Sequence, residues 1–78
     1  MTPEQRLANA IIMQAVKDYK RAYKLYRHHP DSSVYKADVA HFVRFFTGPW
    51  YAVLTEVDGE YLLKRLNEKC EEEMSHGK

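Results

Sequence analysis

Residues 17–29 read KDYKRAYKLYRHH, with five bases, Lys17, Lys20, Arg21, Lys24 and Arg27, against one acid, Asp18. Tyr19, Tyr23 and Tyr26 are interleaved with them. Cations and aromatic rings on adjoining strips of one helix suit a phosphate-bearing ligand with a flat base. The ammonium and guanidinium groups hold the oxygens and a ring stacks on the base. Lys20, Arg21, Lys24, Arg27 and His28 are the expected phosphate holders, with Tyr23, Tyr26 or Trp50 as the stacking ring. The His28-His29-Pro30 corner adds protonatable donors, which would strengthen anion binding at lower pH. A solvated face beside a core stripe is the plainer account of the same pattern.

Other chemistry finds less support. His28 and His29 are adjacent and cannot easily face one ion, while His41 and Cys70 belong to other segments. No HExxH or i, i+4 histidine pair exists, so no metal site is expected. Ser32, Ser33 and Ser75 fall in a cap or a tail, and the acids around Cys70 disfavour a thiolate. The carboxylates of Glu56-Val57-Asp58-Gly59-Glu60 are explained by helix capping, and Asp58-Gly59 lacks the further oxygens of an EF-hand loop. The expectation is a non-enzymatic protein without metal or cofactor.

The basic stretch must ride on a helix. Thr2, Pro3 and Gln5 read as an N-cap, a first-turn proline and a capping-box partner. No Gly or Pro interrupts the chain from there to His29. Apolar or aromatic residues fall at Ala8, Ile12, Ala15, Tyr19, Ala22 and Tyr26, the 4-3-4-3-4 spacing of helices packed at a shallow angle. The pattern predicts one helix over about 3–28. Pro30 disfavours helix at His29, and Asp31, Ser32 or Ser33 can cap a second helix over 33–46. Its stripe is Tyr35, Val39, Phe42 and Phe46. Thr47-Gly48-Pro49 ends that helix and opens a third over 49–56. Asp58 then caps a fourth over 59–73, with Leu62, Leu63, Leu66 and Cys70 on its apolar side and a fraying tail at 74–78. The fold class is all-α: a single small four-helix domain, residues 1–78, with one long N-terminal helix.

A helix of that length is about 39 Å long. A compact chain of 78 residues has a diameter near roughly 30 Å. The shorter helices then fail to cover the first one unless they lie end to end along it. This points to a homo-oligomer, a dimer or larger, with Ala8, Ile12, Ala15, Tyr19 and Ala22 at the interface. Charge is also uneven. Residues 56–73 hold seven acids and three bases. Basic residues suit the end of the first helix and acidic ones oppose the end of the last. The acidic end either docks on a basic surface, in the same chain or a neighbour, or stays solvated. Trp50-Tyr51, preceded by Phe42, Phe45 and Phe46, fits core packing by default. Trp is also a frequent interface anchor.

The 78 residues fit one domain, and 45% hydrophobic with 29% charged is a globular composition. The net charge of +1 makes duplex nucleic acid an unattractive partner, and so long a first helix does not suit a helix-turn-helix. One Cys excludes an internal disulfide. No apolar run approaches the roughly 20 residues that cross a bilayer, and MTPEQR lacks a signal peptide's apolar core. A reducing cytoplasm is the expected compartment, with no membrane partner.

RLANAIIMQAVKDY and RFFTGPWYAVLTEVDGEYLLKRL resemble a group of short, mostly uncharacterised proteins encoded in bacteriophages and prophages. The resemblance covers most of residues 6–66. Its most distinctive parts are Phe45-Phe46, Trp50-Tyr51 and the cap Asp58-Gly59-Glu60-Tyr61-Leu62. A polar cap residue is expected before the Trp in similar sequences, and Thr47-Gly48-Pro49 departs from it. The resemblance implies a phage gene acting in a bacterial host cell, with no catalytic residues to carry over. Small phage accessory proteins often counter host immunity. One expected strategy is a sponge, an oligomer whose basic-aromatic sites sequester an anionic signalling nucleotide. The alternative is a protein-binding inhibitor or adaptor that blocks a host defence protein.

Overall fold

In the computed structural model, which describes residues 2–76, four helices follow one another: α1 (Pro3–His28), α2 (Ser33–Phe46), α3 (Pro49–Leu54) and α4 (Gly59–His76). Each start has a local cause. Thr2 Oγ1 accepts the Gln5 N–H at 3.1 Å, and Gln5 Oε1 accepts the Thr2 N–H at 3.0 Å, a complete capping box. Ser32 Oγ accepts the Tyr35 N–H at 3.2 Å to open α2, and Asp58 Oδ1 accepts the Glu60 N–H at 2.9 Å to open α4. α3 begins on Pro49 after Gly48, with no side-chain cap.

Two boundaries differ from the sequence reading. α3 stops at Leu54 instead of 56, because Thr55 is extended and its Oγ1 accepts the Val57 N–H at 3.2 Å. A threonine hydroxyl competes with the helix for a backbone donor in this way. α4 continues through 74–76, beyond the expected end at 73, so that part of the tail is helical. Residues 77 and 78 lie outside the described residues.

The short loop at His29–Ser32 folds α2 back along α1. α4 runs parallel to α1, as its side-chain pairs show: Tyr19 meets Asn67, Tyr23 meets Glu71 and Lys24 meets Glu73. The core is Tyr19, Phe46, Tyr51, Leu63 and Leu66. The Tyr19 ring stands edge-on to Phe42 and Phe46, with centroids 6.5 and 6.0 Å away, and its hydroxyl donates to Asn67 Oδ1. That bond lets a phenol sit in an apolar core without an orphaned donor.

The expected oligomer stripe has a different role. Tyr19 and Ala22 are only 2% and 6% exposed within a single chain. Ile12 and Ala15 pack against the core, and Ala8 is half-buried. Three helices share the covering of α1: α3 near Gln5 and Asn9, α2 around Tyr19, and α4 from Tyr19 to Arg27. The molecule is correspondingly long, 41 × 26 × 18 Å with a radius of gyration of 13.4 Å. A compact chain of this size would have roughly 11–12 Å. The stripe therefore needs no second copy at Tyr19 and Ala22.

Candidate functional site

The last three turns of α1 face the last turns of α4. Glu73 bridges two lysines, with Lys24 Nζ at 2.7 Å and Lys20 Nζ at 3.3 Å on its two carboxylate oxygens. Two residues earlier, Glu71 Oε2 accepts the Tyr23 hydroxyl at 2.6 Å and lies 3.1 Å from Arg27 Nε. Arg27 Nη2 adds a longer contact of 3.4 Å to Glu71 Oε1. Four donors from one side of α1 thus hold two carboxylates.

The electrostatics follow from this arrangement. Hydrogen bonds from Lys24 and then Lys20 hold the Glu73 carboxyl below its ordinary range. The Glu73 bond raises Lys24 in turn. Burial, then the bond to Glu71, pushes the Tyr23 phenol up to about 12. Cys70 lies beneath the cluster at 0% exposure, and burial raises its thiol although Lys24 and Lys20 pull it down. Acids at a helix C-terminus oppose the macrodipole, whereas bases there are favoured. The α1 bases therefore offset the unfavourable position of the α4 acids. Exposed ion pairs each contribute only about 0–1 kcal/mol, so the cluster aligns the two helices more than it stabilises them.

Lys20, Tyr23, Lys24 and Arg27, all expected to meet a ligand, are brought together but turned onto the chain's own carboxylates. Arg21 joins Lys17, Lys20, Lys24 and Leu25 around an open groove of about 440 Å³. Tyr26 is half-buried and His28 is exposed in the final turn. Trp50 is not part of this face. It is 72% exposed on α3, and α3 lies against the Gln5–Asn9 end of α1, roughly 16 Å along the helix from Lys20. The acidic end docks on the basic surface of its own chain through Glu71 and Glu73, one of the two outcomes the sequence left open, whereas Asn67 was not named as a partner of α1. The signal for the two acids was the acidic run in a helix's final turns, where the dipole disfavours it.

Among the described residues no group of three or more His, Cys, Asp or Glu is placed to hold a metal ion. Within the same residues no helix is long and apolar enough to cross a membrane. Comparison with known proteins finds no family model, curated protein or solved structure that matches this chain.

Proposed function

We propose that this chain is a non-enzymatic phage accessory protein of the anti-defence kind, which sequesters an anionic signalling nucleotide on the basic face of α1. The observation that carries the reading is the seating of Glu71 and Glu73: Lys20, Tyr23, Lys24 and Arg27 already grip anionic oxygens at 2.6–3.3 Å. Phosphate oxygens suit the same donors and carry more charge than a carboxylate. Lys17 and Arg21 add two further cations at the rim of the adjoining groove. A polyphosphate or cyclic dinucleotide would displace the two carboxylates and draw on all six groups. With Trp50 elsewhere and the Tyr23 ring packed against the core, Tyr26 is the ring left for stacking. A single helix face is convex and small-ligand sites are concave, so this reading places the ligand between two copies, in the bacterial host cytoplasm.

Calorimetric titration with cyclic oligonucleotides and nicotinamide-derived nucleotides tests it, using the wild-type chain and Glu71→Gln/Glu73→Gln. The expected result is binding by one of these ligands at one per two chains, tightened about tenfold in the double variant because the internal competitor is weakened. Lys20→Glu/Arg21→Glu should abolish it. No heat from any ligand with either the wild type or the Gln variant would refute the proposal.

A further inference from the structure

The opposite end of the molecule carries a second surface, built from residues the basic face does not use. α3 is six residues long and buries one side: Tyr51 is 3% exposed and Leu54 is half-buried. Its other side leaves Trp50 at 72% and Val53 at 77% exposure. Val57, in the following turn, and Tyr61, in the first turn of α4, are 53% and 59% exposed. Single exposed apolar residues need no explanation, but four large ones within twelve positions of one helix–turn–helix segment are a concentration of the kind that marks association. Trp is among the residues enriched as anchors of protein interfaces.

Charge identifies what fits this segment. From Phe45 to Leu63 the sequence contains no Lys, Arg or His, and its only ionisable acids are Glu56, Asp58 and Glu60. All three line a hollow of about 450 Å³ between the end of α2 and the start of α4. Tyr51 is in the wall of that hollow. Its hydroxyl is buried and has no hydrogen-bond partner. Burial, and then the charge of Asp58, raises its pKa. On the other side of the turn a second hollow, about 900 Å³, lies between Gln5, Asn9 and Val53–Val57. The turn thus lies between two depressions: Glu56 and Val57 border both, and Asp58 and Glu60 line the one beside α4.

We infer that this end is a docking surface for a protein segment that carries Lys or Arg beside apolar side chains. The apolar side chains cover Trp50 and Val53, and a cation enters the Glu56–Asp58–Glu60 hollow. Such a surface suits the basic, nucleic-acid-contacting region of a partner, because like charge would repel an acidic one. The inference stands apart from the anion site, whose residues it does not share.

Trp50 is the only Trp in the chain, so its fluorescence reports on the surface directly. The probe is a synthetic amphipathic helix with Arg on one side and Leu on the other. Titrated into the full chain, it should shift the Trp50 emission to the blue and saturate. Its counterpart with Glu in place of Arg should not. Glu56→Gln/Asp58→Asn/Glu60→Gln should weaken the Arg peptide at least tenfold with an unchanged circular dichroism spectrum, since Asn retains the cap. Val53→Asp should abolish the shift, and Glu71→Gln/Glu73→Gln should leave it intact. Equal response to both peptides, full affinity in the triple variant or no shift at all would overturn the inference. So would a wild-type dimer in sedimentation that Val53→Asp converts to a monomer, because a second copy would then be the occupant.

Discussion

Gly59→Ala should be the most damaging single methyl that can be added to this chain. Gly59 opens α4, and its φ is not positive, so the backbone does not require glycine. Propensity alone favours the change: Gly→Ala at a compatible site stabilises by about 0.4–1 kcal/mol through the unfolded chain. Packing opposes it. A Cβ at Gly59 would overlap the Phe46 carbonyl oxygen, and would lie 2.8 Å from the Phe46 carbonyl carbon and 3.3 Å from Tyr51 Cδ2. Carbon atoms in contact prefer about 3.5–4.0 Å, and the overlap with the carbonyl oxygen is deeper still, so α4 must retreat by more than an ångström. Two of the three clashing atoms are backbone and cannot rotate away. That retreat loosens Leu63 and Leu66 against Tyr19 and Phe46, the centre of the core. Overpacking typically costs about 1–3 kcal/mol, and a backbone obstacle puts this site at the upper end. A chain of this size has roughly 4–12 kcal/mol in all. A loss of about 3 kcal/mol lowers the melting temperature by about 12–24 °C. Thermal unfolding followed by helical circular dichroism measures it. Gly48→Ala is the internal comparison. Its Cβ comes no closer than 2.7 Å, to the Arg44 carbonyl oxygen, so it should cost about 1–2 kcal/mol. If Gly59→Ala melts at or above the wild type, or Gly48→Ala proves the worse of the two, the reasoning fails.

Two further outcomes are expected. Tyr23 binds its proton more tightly in the folded state, with a pKa of about 12 against 10.0. Its contribution is therefore complete below pH 10 and is lost as pH rises from 10 towards 12. Urea midpoints should fall over that window, and Tyr23→Phe, which has no phenol to titrate, should show a flatter decline. Cys70 is 0% exposed and its thiol is raised by burial. Labelling by an aromatic disulfide reagent at pH 8 should be at least about 100-fold slower in the native chain than in denaturant, the ratio set by an opening of about 3 kcal/mol. Rapid native labelling would contradict the packing of α4 on α1.

Helix starts were legible because their causes are local. Thr2, Ser32 and Asp58 each act on a donor two or three residues away, and a reader of the sequence sees both members of the pair. The end of α3 was less legible, since a Thr55 hydroxyl can serve either a helix or a turn. The apolar period of α1 was readable, yet it could not tell which partner covers it. Ala8, Ile12, Ala15, Tyr19 and Ala22 lay on one stripe as expected. Their partner was unreadable because it is settled by how α2, α3 and α4 divide the length of α1. The basic face posed the same problem. Lys20, Lys24 and Arg27 stood out by type and spacing, whereas Glu71 and Glu73, nearly fifty residues on, meet them only through the parallel course of α4.

That parallel course also orders how the molecule forms and opens. The α1–α2 hairpin closes a loop of a few residues, whereas Tyr19–Asn67 and Tyr23–Glu71 join positions 48 apart. Long closures cost more chain entropy and come later. The distal half of α4 should thus be the last part to anneal and the first to peel away, a latch in the folding sense. When it peels, it bares the lysines it had neutralised, so the transient breathing of one helix sets how often α1 meets the outside world with its charge uncovered.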